Sequence, residues 1–195
     1  MKKVFLDFGG NRGQGLRQFV EMFNIDSSWE VKTFEPNDFC NLKEELFDFP
    51  FVEVYNQAVW IYDGTVQFNR TTAHRDGRSF NDKNGNSYID EGSSVMGLNA
   101  GDVVACVQDV IDVECVNISH LINQYNEDDY IIVKMDVEGA EFELVRKLLK
   151  DNVVQKINEL YIEWHTQHVP GETYDTERDL KEKLSKTKAN VHDWH

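Results

Sequence analysis

Lys3-Val4-Phe5-Leu6-Asp7-Phe8, running directly into Gly9-Gly10-Asn11-Arg12-Gly13, is the stretch that decides the fold. Its first six residues are mostly apolar over a length too short for a helix, the pattern of a strand buried on both faces. The glycines then permit a tight turn in which a ligand can approach the main chain closely. Beyond the turn, Leu16, Phe19, Val20 and Phe23 recur at the spacing of an amphipathic helix. Strand, glycine turn and helix in that order open a βαβ unit.

The rhythm repeats outward along the chain. Residues 29–35 alternate as a second strand, Pro36 ends it, and Phe39, Leu42, Leu46 and Phe49 outline a second helix. Such alternation predicts an α/β fold, a mostly parallel sheet with helices on both faces. A third strand is expected from Phe51 to Trp60, turned back by Asp63-Gly64 into Thr65-Val66-Gln67-Phe68 as a hairpin. Residues 69–101 lose the pattern and are rich in Asn, Asp, Gly, Ser and Arg; so long an insert in a compact domain is usually functional. Extended pieces are expected within 103–116, then a helix carrying Ile118, Leu121, Ile122 and Tyr125, and a buried strand from Tyr130 to Asp136. Phe142, Val145, Leu148 and Leu149 mark the next helix, and a strand over 157–165 ends in Glu163-Trp164-His165. Thr176 with Asp179 suggests a capping box for a last helix through Lys186, before a short piece ending at Trp194. The tail has room for at most one more short strand, so the sheet is expected to be truncated at its C-terminal edge.

With 195 residues, 41% hydrophobic and 28% charged, the chain has the size and composition of one globular domain over 1–195, carrying the insert at 69–101. A formal net charge of −15 repels phosphate backbones and anionic lipid, and no Lys/Arg-rich run offsets it. Nucleic acid and membrane surfaces are therefore poor partners, and a small molecule is the better one. Cys40, Cys106 and Cys115 form neither a CxxC pair nor a zinc spacing, which suits free thiols in a reducing compartment. With an opening apolar run too short for a signal-peptide core, a cytoplasmic location is expected.

In an open α/β sheet, ligands bind beyond the carboxyl ends of the strands. Here the second strand ends in Glu35, 22 positions beyond Gly13, the spacing of a carboxylate that grips ribose hydroxyls. The glycines do not make GxGxxG, because Asn11 and Gln14 occupy two of its positions, nor a P-loop, because Leu16-Arg17 stands where Lys-Ser/Thr is required. A nucleoside without an anionic pyrophosphate suits this turn and an acidic chain.

Several motifs come in one order over residues 3–165: Asp7-x-Gly9-x-Asn11-x-Gly13, Phe34-Glu35-Pro36, Asn56-x-Ala58 before the Asp63-Gly64 turn, Lys134-Met135-Asp136-Val137-Glu138-Gly139-Ala140-Glu141, and Glu163-x-His165. In them the chain resembles the FkbM family of S-adenosylmethionine-dependent methyltransferases. The resemblance implies a Rossmann-like class I methyltransferase fold, S-adenosyl-L-methionine as cofactor, and transfer to a hydroxyl oxygen of a small polyhydroxyl acceptor, a sugar or natural product. It also implies that Asp7, Gly9, Asn11 and Gly13 surround the methionine part, Glu35 the ribose, Gln57, Ala58 and Val59 the adenine, and that Asp136 faces the sulfonium or the acceptor. The chain departs from the family pattern in Gly10, where alanine is commoner, and in its short C-terminus.

Methyl transfer is an in-line displacement, so alignment supplies much of the rate, but a hydroxyl acceptor must also lose its proton. Asp136, Glu138, Glu163 and His165, at two neighbouring strand ends, could take that proton or hold a divalent ion that acidifies the hydroxyl. Strand alternation puts Lys134 on the face of Asp136, where it would orient that carboxylate or the substrate, or make a structural ion pair. Metal dependence stays open. So do two other functions: a dinucleotide-dependent oxidoreductase, from the same turn and acidic spacing, and a non-catalytic binding module using 69–101 as its contact surface. Asp82 to Asp90 looks like the opening of an EF-hand calcium loop but has Ser87 at the turn-glycine position and Ser93 at the closing-glutamate position. A polar loop covering the substrate is the expectation there.

Overall fold

The computed structural model describes residues 1–71, 80–81, 87–88, 93–96 and 107–194. The chain opens with β1 (Lys3–Phe8), α1 (Gln14–Phe23), β2 (Glu30–Phe34), α2 (Leu42–Glu45) and β3 (Val52–Tyr55). It continues through β4 (Ala58–Trp60), β5 (Gly64–Thr71), β6 (Phe80–Asn81), β7 (Ser87–Tyr88) and β8 (Val107–Asn117). Helix α3 (Ile118–Asn123) then leads to β9 (Tyr130–Met135), α4 (Glu141–Lys150), β10 (Glu159–Ile162), α5 (Tyr174–Leu184) and β11 (Asn190–Asp193).

Six strands in the order β11-β10-β9-β1-β2-β3 form the main sheet, and every pairing in it is parallel. This is the expected α/β, Rossmann-like arrangement, with β1 and β9 adjacent where the order reverses. Strand alternation sends Val4, Leu6, Ile131 and Val133 into one core with Leu121, Phe142 and Leu180 of α3, α4 and α5. It sends Phe5, Val31 and Ile132 into a second core with Leu16 and Phe19 of α1. Two cores, one on each side, are what place helices on both faces. Phe5 and Phe19 stack with ring centres 5.0 Å apart, and full burial of each such side chain stabilises by roughly 1.5–3 kcal/mol.

The middle of the chain differs from expectation. In place of one helix over Phe39 to Phe49 there is a 3-10 turn, Asp38–Cys40, and the short α2. Asn41 between them has a left-handed conformation (φ 47°) that interrupts the helical ladder. Phe39 is 42% exposed and lies under the Arg70 guanidinium, 3.9 Å from the ring centre, rather than facing the core. The single strand expected from Phe51 to Trp60 is two strands. β3 extends the main sheet at its edge, and after Asn56-Gln57 the buried β4 crosses into a second sheet of order β4-β8-β5. The Asp63-Gly64 turn therefore does not pair β4 with β5; β8 lies between them, parallel to the first and antiparallel to the second. Asp63 accepts the Asn117 N–H at 2.8 Å, which ties the turn to the end of β8.

At the C-terminus the cap of α5 is Thr173, which accepts the Thr176 N–H at 3.2 Å, so the capping position lies three residues before the expected one and the helix ends at Leu184. β11 supplies the one further short strand, and no seventh strand joins the sheet among the described residues. In the EF-hand-like stretch, 82–86 and 89–90 lie outside the described residues; β6 and β7 on either side of 82–86 pair antiparallel, so a strand stands where an EF-hand has a helix. Cys40 and Cys115 are buried and in no disulfide, while Cys106 lies outside the described residues. No helix among the described residues is long and apolar enough to cross a membrane.

Candidate functional site

The carboxyl ends of β1, β2, β9 and β10 open into a cavity of about 470 Å³, the size of a small-molecule site. Its floor is the glycine turn after β1. Gly9 has φ 78°, and a Cβ there would stand 1.6 Å from the Asp136 carbonyl oxygen, so only glycine lets the turn lie against the loop after β9. At Gly10 a Cβ would meet Thr33 Oγ1 at 2.3 Å. The alanine common in the resembling family has no room beside Thr33 in this chain.

Every main-chain amide of the turn is already committed. Gly9 and Gly10 donate to the Phe34 carbonyl (3.0 and 3.1 Å), Asn11 to Glu35 Oε2 (2.9 Å), Arg12 to Asn11 Oδ1 (2.7 Å) and Gly13 to the Gly10 carbonyl (2.7 Å). Glu35 Oε1 also accepts the Asn37 N–H at 2.8 Å, so this carboxylate joins the turn after β1 to the loop after β2. Burial pushes Glu35 up to about 7, against the pull of those two N–H groups toward the charged form. It lines the cavity with lone pairs to spare, since an ionised carboxylate can accept about four hydrogen bonds.

Beneath the turn lies a buried ion pair. Lys134 Nζ is 3.1 Å from Asp7 Oδ1, 3.4 Å from Asp136 Oδ2, and donates to the Gly9 carbonyl at 2.9 Å. Asp7 Oδ2 accepts from Thr33 Oγ1 at 2.7 Å. Burial works against the lysine's charge, but Asp7 and Asp136 outweigh it and hold Lys134 firmly protonated. Lys134 thus bridges two carboxylates, buried Asp7 and Asp136 at the cavity wall, of which Asp7 was not foreseen as its partner.

At the β9 and β10 ends, His165 sits among carboxylates. Its Nδ1 is 2.9 Å from Glu141 Oε1, and its Nε2 is 3.4 Å from Glu138 Oε2 and 3.9 Å from Glu163 Oε1. Burial disfavours the imidazolium, yet the bond to Glu141 and the neighbouring charges of Glu141, Glu138 and Asp136 raise it to about 10. As it stands, His165 is a held cation. Asp136, Glu138 and Glu163 line the cavity; His165 stands behind them.

Part of the remaining wall is apolar, lined by Phe34, Pro36, Ala58, Val59 and Phe68. Of the expected adenine neighbours, Ala58 and Val59 reach the cavity, while Gln57 turns away to donate to Glu114 at 2.9 Å. Gly9, Asn11, Glu35, Lys134, Asp136 and Glu163 line the space as well; Asp7 and Gly13 support it from below. Sequence reasoning missed Trp194, brought in by β11, and Ser93 and Val95, brought in by the Asn69–Ser94 bridge. It also assigned no task to Glu141, although that residue closes the Lys134–Glu141 motif.

A family model described as the methyltransferase FkbM domain matches residues 7–186. No curated protein and no solved structure matches the chain. With the strand-end cavity in place, and with the match spanning most of the chain, the chain belongs to the FkbM methyltransferase family.

Proposed function

We propose that this chain binds S-adenosyl-L-methionine and methylates a hydroxyl oxygen of a small polyhydroxyl acceptor. The observation that carries the reading is the state of the glycine turn. All five amides from Gly9 to Gly13 are used within the protein, so nothing cradles a pyrophosphate, while Glu35 stands in the wall with acceptor capacity left for ribose hydroxyls. Asp136, Glu138 and Glu163 would repel phosphate and attract a sulfonium. The same facts disfavour a dinucleotide cofactor.

The apolar wall of Phe34, Ala58, Val59 and Phe68 suits a purine, and the glycine turn offers the methionine part a close approach. When bound, the cofactor supplies an electrophilic methyl group. This chain's part is to align the acceptor oxygen with it and to receive a proton. As the new C–O bond forms, the hydroxyl proton becomes strongly acidic, so an ordinary carboxylate suffices as acceptor; Asp136, held by Lys134, and Glu163 both face the space where it is released. His165, held charged by its neighbours, steadies those carboxylates rather than taking the proton itself.

Titration calorimetry with S-adenosylhomocysteine and with NADH tests the cofactor reading. Heat with the first and none with the second is expected; no heat with S-adenosylhomocysteine at millimolar concentration sinks it. A panel of hydroxylated acceptors scored for S-adenosylhomocysteine release tests the acceptor class.

A further inference from the structure

We infer that Asp136, Glu138 and His165 form a site for a divalent cation of the manganese class at the acceptor end of the cavity. Ligand atoms of the three side chains all lie within 4.8 Å of one another. The 3.4 Å between His165 Nε2 and Glu138 Oε2 is long for a hydrogen bond, but it matches the edge of an octahedron with metal–ligand bonds of about 2.4 Å. Glu163 Oε1, 3.9 Å from the same nitrogen, can add an oxygen directly or through water.

An observation outside the three ligands points the same way. Glu141 is wholly buried; its Oε1 faces both the Val137 N–H and His165 Nδ1 at 2.9 Å, and its Oε2 has no hydrogen-bond partner among the described residues. Leaving a buried oxygen unsatisfied costs roughly 1–3 kcal/mol. What the arrangement secures is a ring fixed with Nδ1–H toward Glu141 and Nε2 toward Glu138; the cation takes the place of the Nε2 proton that the ring carries without it, so uptake releases a proton. A carboxylate behind an imidazole is how proteins orient histidine ligands on metals. One imidazole with two carboxylates suits manganese better than calcium, which takes oxygen alone, or copper, which prefers more nitrogen and sulfur.

Asp136 and Glu138 also line the cavity, so the ion's open side faces the acceptor space. A hydroxyl there has a lowered pKa; its proton passes to the Glu163 carboxylate, the C–O bond forms as the methyl–sulfur bond breaks, and sulfur keeps the electron pair. This catalytic use rests on the proposed methyl transfer, whereas the cation site itself does not.

Mn²⁺ titration of the chelator-stripped full chain, followed by loss of the free-ion paramagnetic resonance signal, is expected to show a single tight equivalent. Binding should weaken by about tenfold or more in Glu138→Gln and in His165→Gln, and by about 10–100-fold in Glu141→Gln, with circular dichroism confirming each fold. If His165→Gln does not fold, Glu138→Gln and Asp136→Asn carry the comparison. No uptake by the folded chain at millimolar Mn²⁺, or equal uptake by the variants, overturns the site. Calorimetry with S-adenosylhomocysteine in chelator runs in parallel: silence there overturns the cofactor reading and leaves the Mn²⁺ result standing. Acceptor methylation that survives chelation undiminished overturns the ion's catalytic use.

Discussion

Glu35 and His165 flank the same cavity from opposite ends, and burial pushes both toward neutrality, yet they finish in opposite states. At the β2 end, two main-chain N–H groups cannot offset burial, and Glu35 rises to about 7. At the β10 end, neighbouring carboxylates more than offset it, and His165 rises to about 10 and keeps its charge. Charge at this site is therefore set by the balance between burial and the neighbouring charges, not by burial alone. One end is poised near neutral pH while the other is a fixed electrostatic framework.

The strongest way to break this comparison is to remove a neighbour. Lys134→Met leaves Asp7 buried without its counter-charge, and a stability loss of about 3–5 kcal/mol in urea unfolding is expected. Adding Asp7→Asn should recover most of it; a single variant as stable as the parent would mean that Asp7 never carried charge. Next in size, Glu35→Gln puts an amide N–H₂ against one of the two main-chain donors and removes a charged acceptor. Its affinity for S-adenosylhomocysteine should fall by about 1.5–3 kcal/mol in calorimetry.

The poised end also predicts a pH dependence. Ribose hydroxyls donate more strongly to the ionised carboxylate, so binding favours loss of the Glu35 proton. Affinity should rise by up to about tenfold per pH unit as pH climbs toward about 7, level off above it, and be flat in Glu35→Gln. For stability the sign is reversed: a carboxyl raised in the folded state contributes fully below its ordinary range, and that contribution is lost as pH rises through about 7. Thermal unfolding of the parent and of Glu35→Gln across that window reads it. The smallest effect belongs outside either end. Thr173→Ala removes the α5 cap and should cost about 1 kcal/mol while leaving ligand affinity untouched.

Much of this site was legible from local pattern. The Lys3–Phe8 strand, the glycine turn, Glu35, and the block from Lys134 to Glu141 all fall where a parallel sheet delivers its strand ends. What escaped depended on partners distant in sequence. Nothing local tells β4 to leave the main sheet after Asn56-Gln57, because the strand that receives it, β8, lies some fifty residues on. Gln57 was placed beside adenine by sequence position, but the same crossing turns it toward Glu114. Trp194 and Ser93 reach the cavity only because β11 docks on β10 and Ser94 bridges Asn69.

The sequence by itself determined the strand–turn–helix order, the acidic residue after the second strand, and the absence of the GxGxxG and P-loop patterns from the first turn, since periodicity and glycine spacing are properties of neighbouring residues. Only the tertiary structure decided which carboxylates surround His165, that Lys134 serves Asp7 and Asp136 together, and that all five turn amides are spent internally. Charge states and hydrogen-bond saturation depend on distances of a few ångströms between strand ends that lie far apart along the chain, and those distances exist only once the sheet has closed.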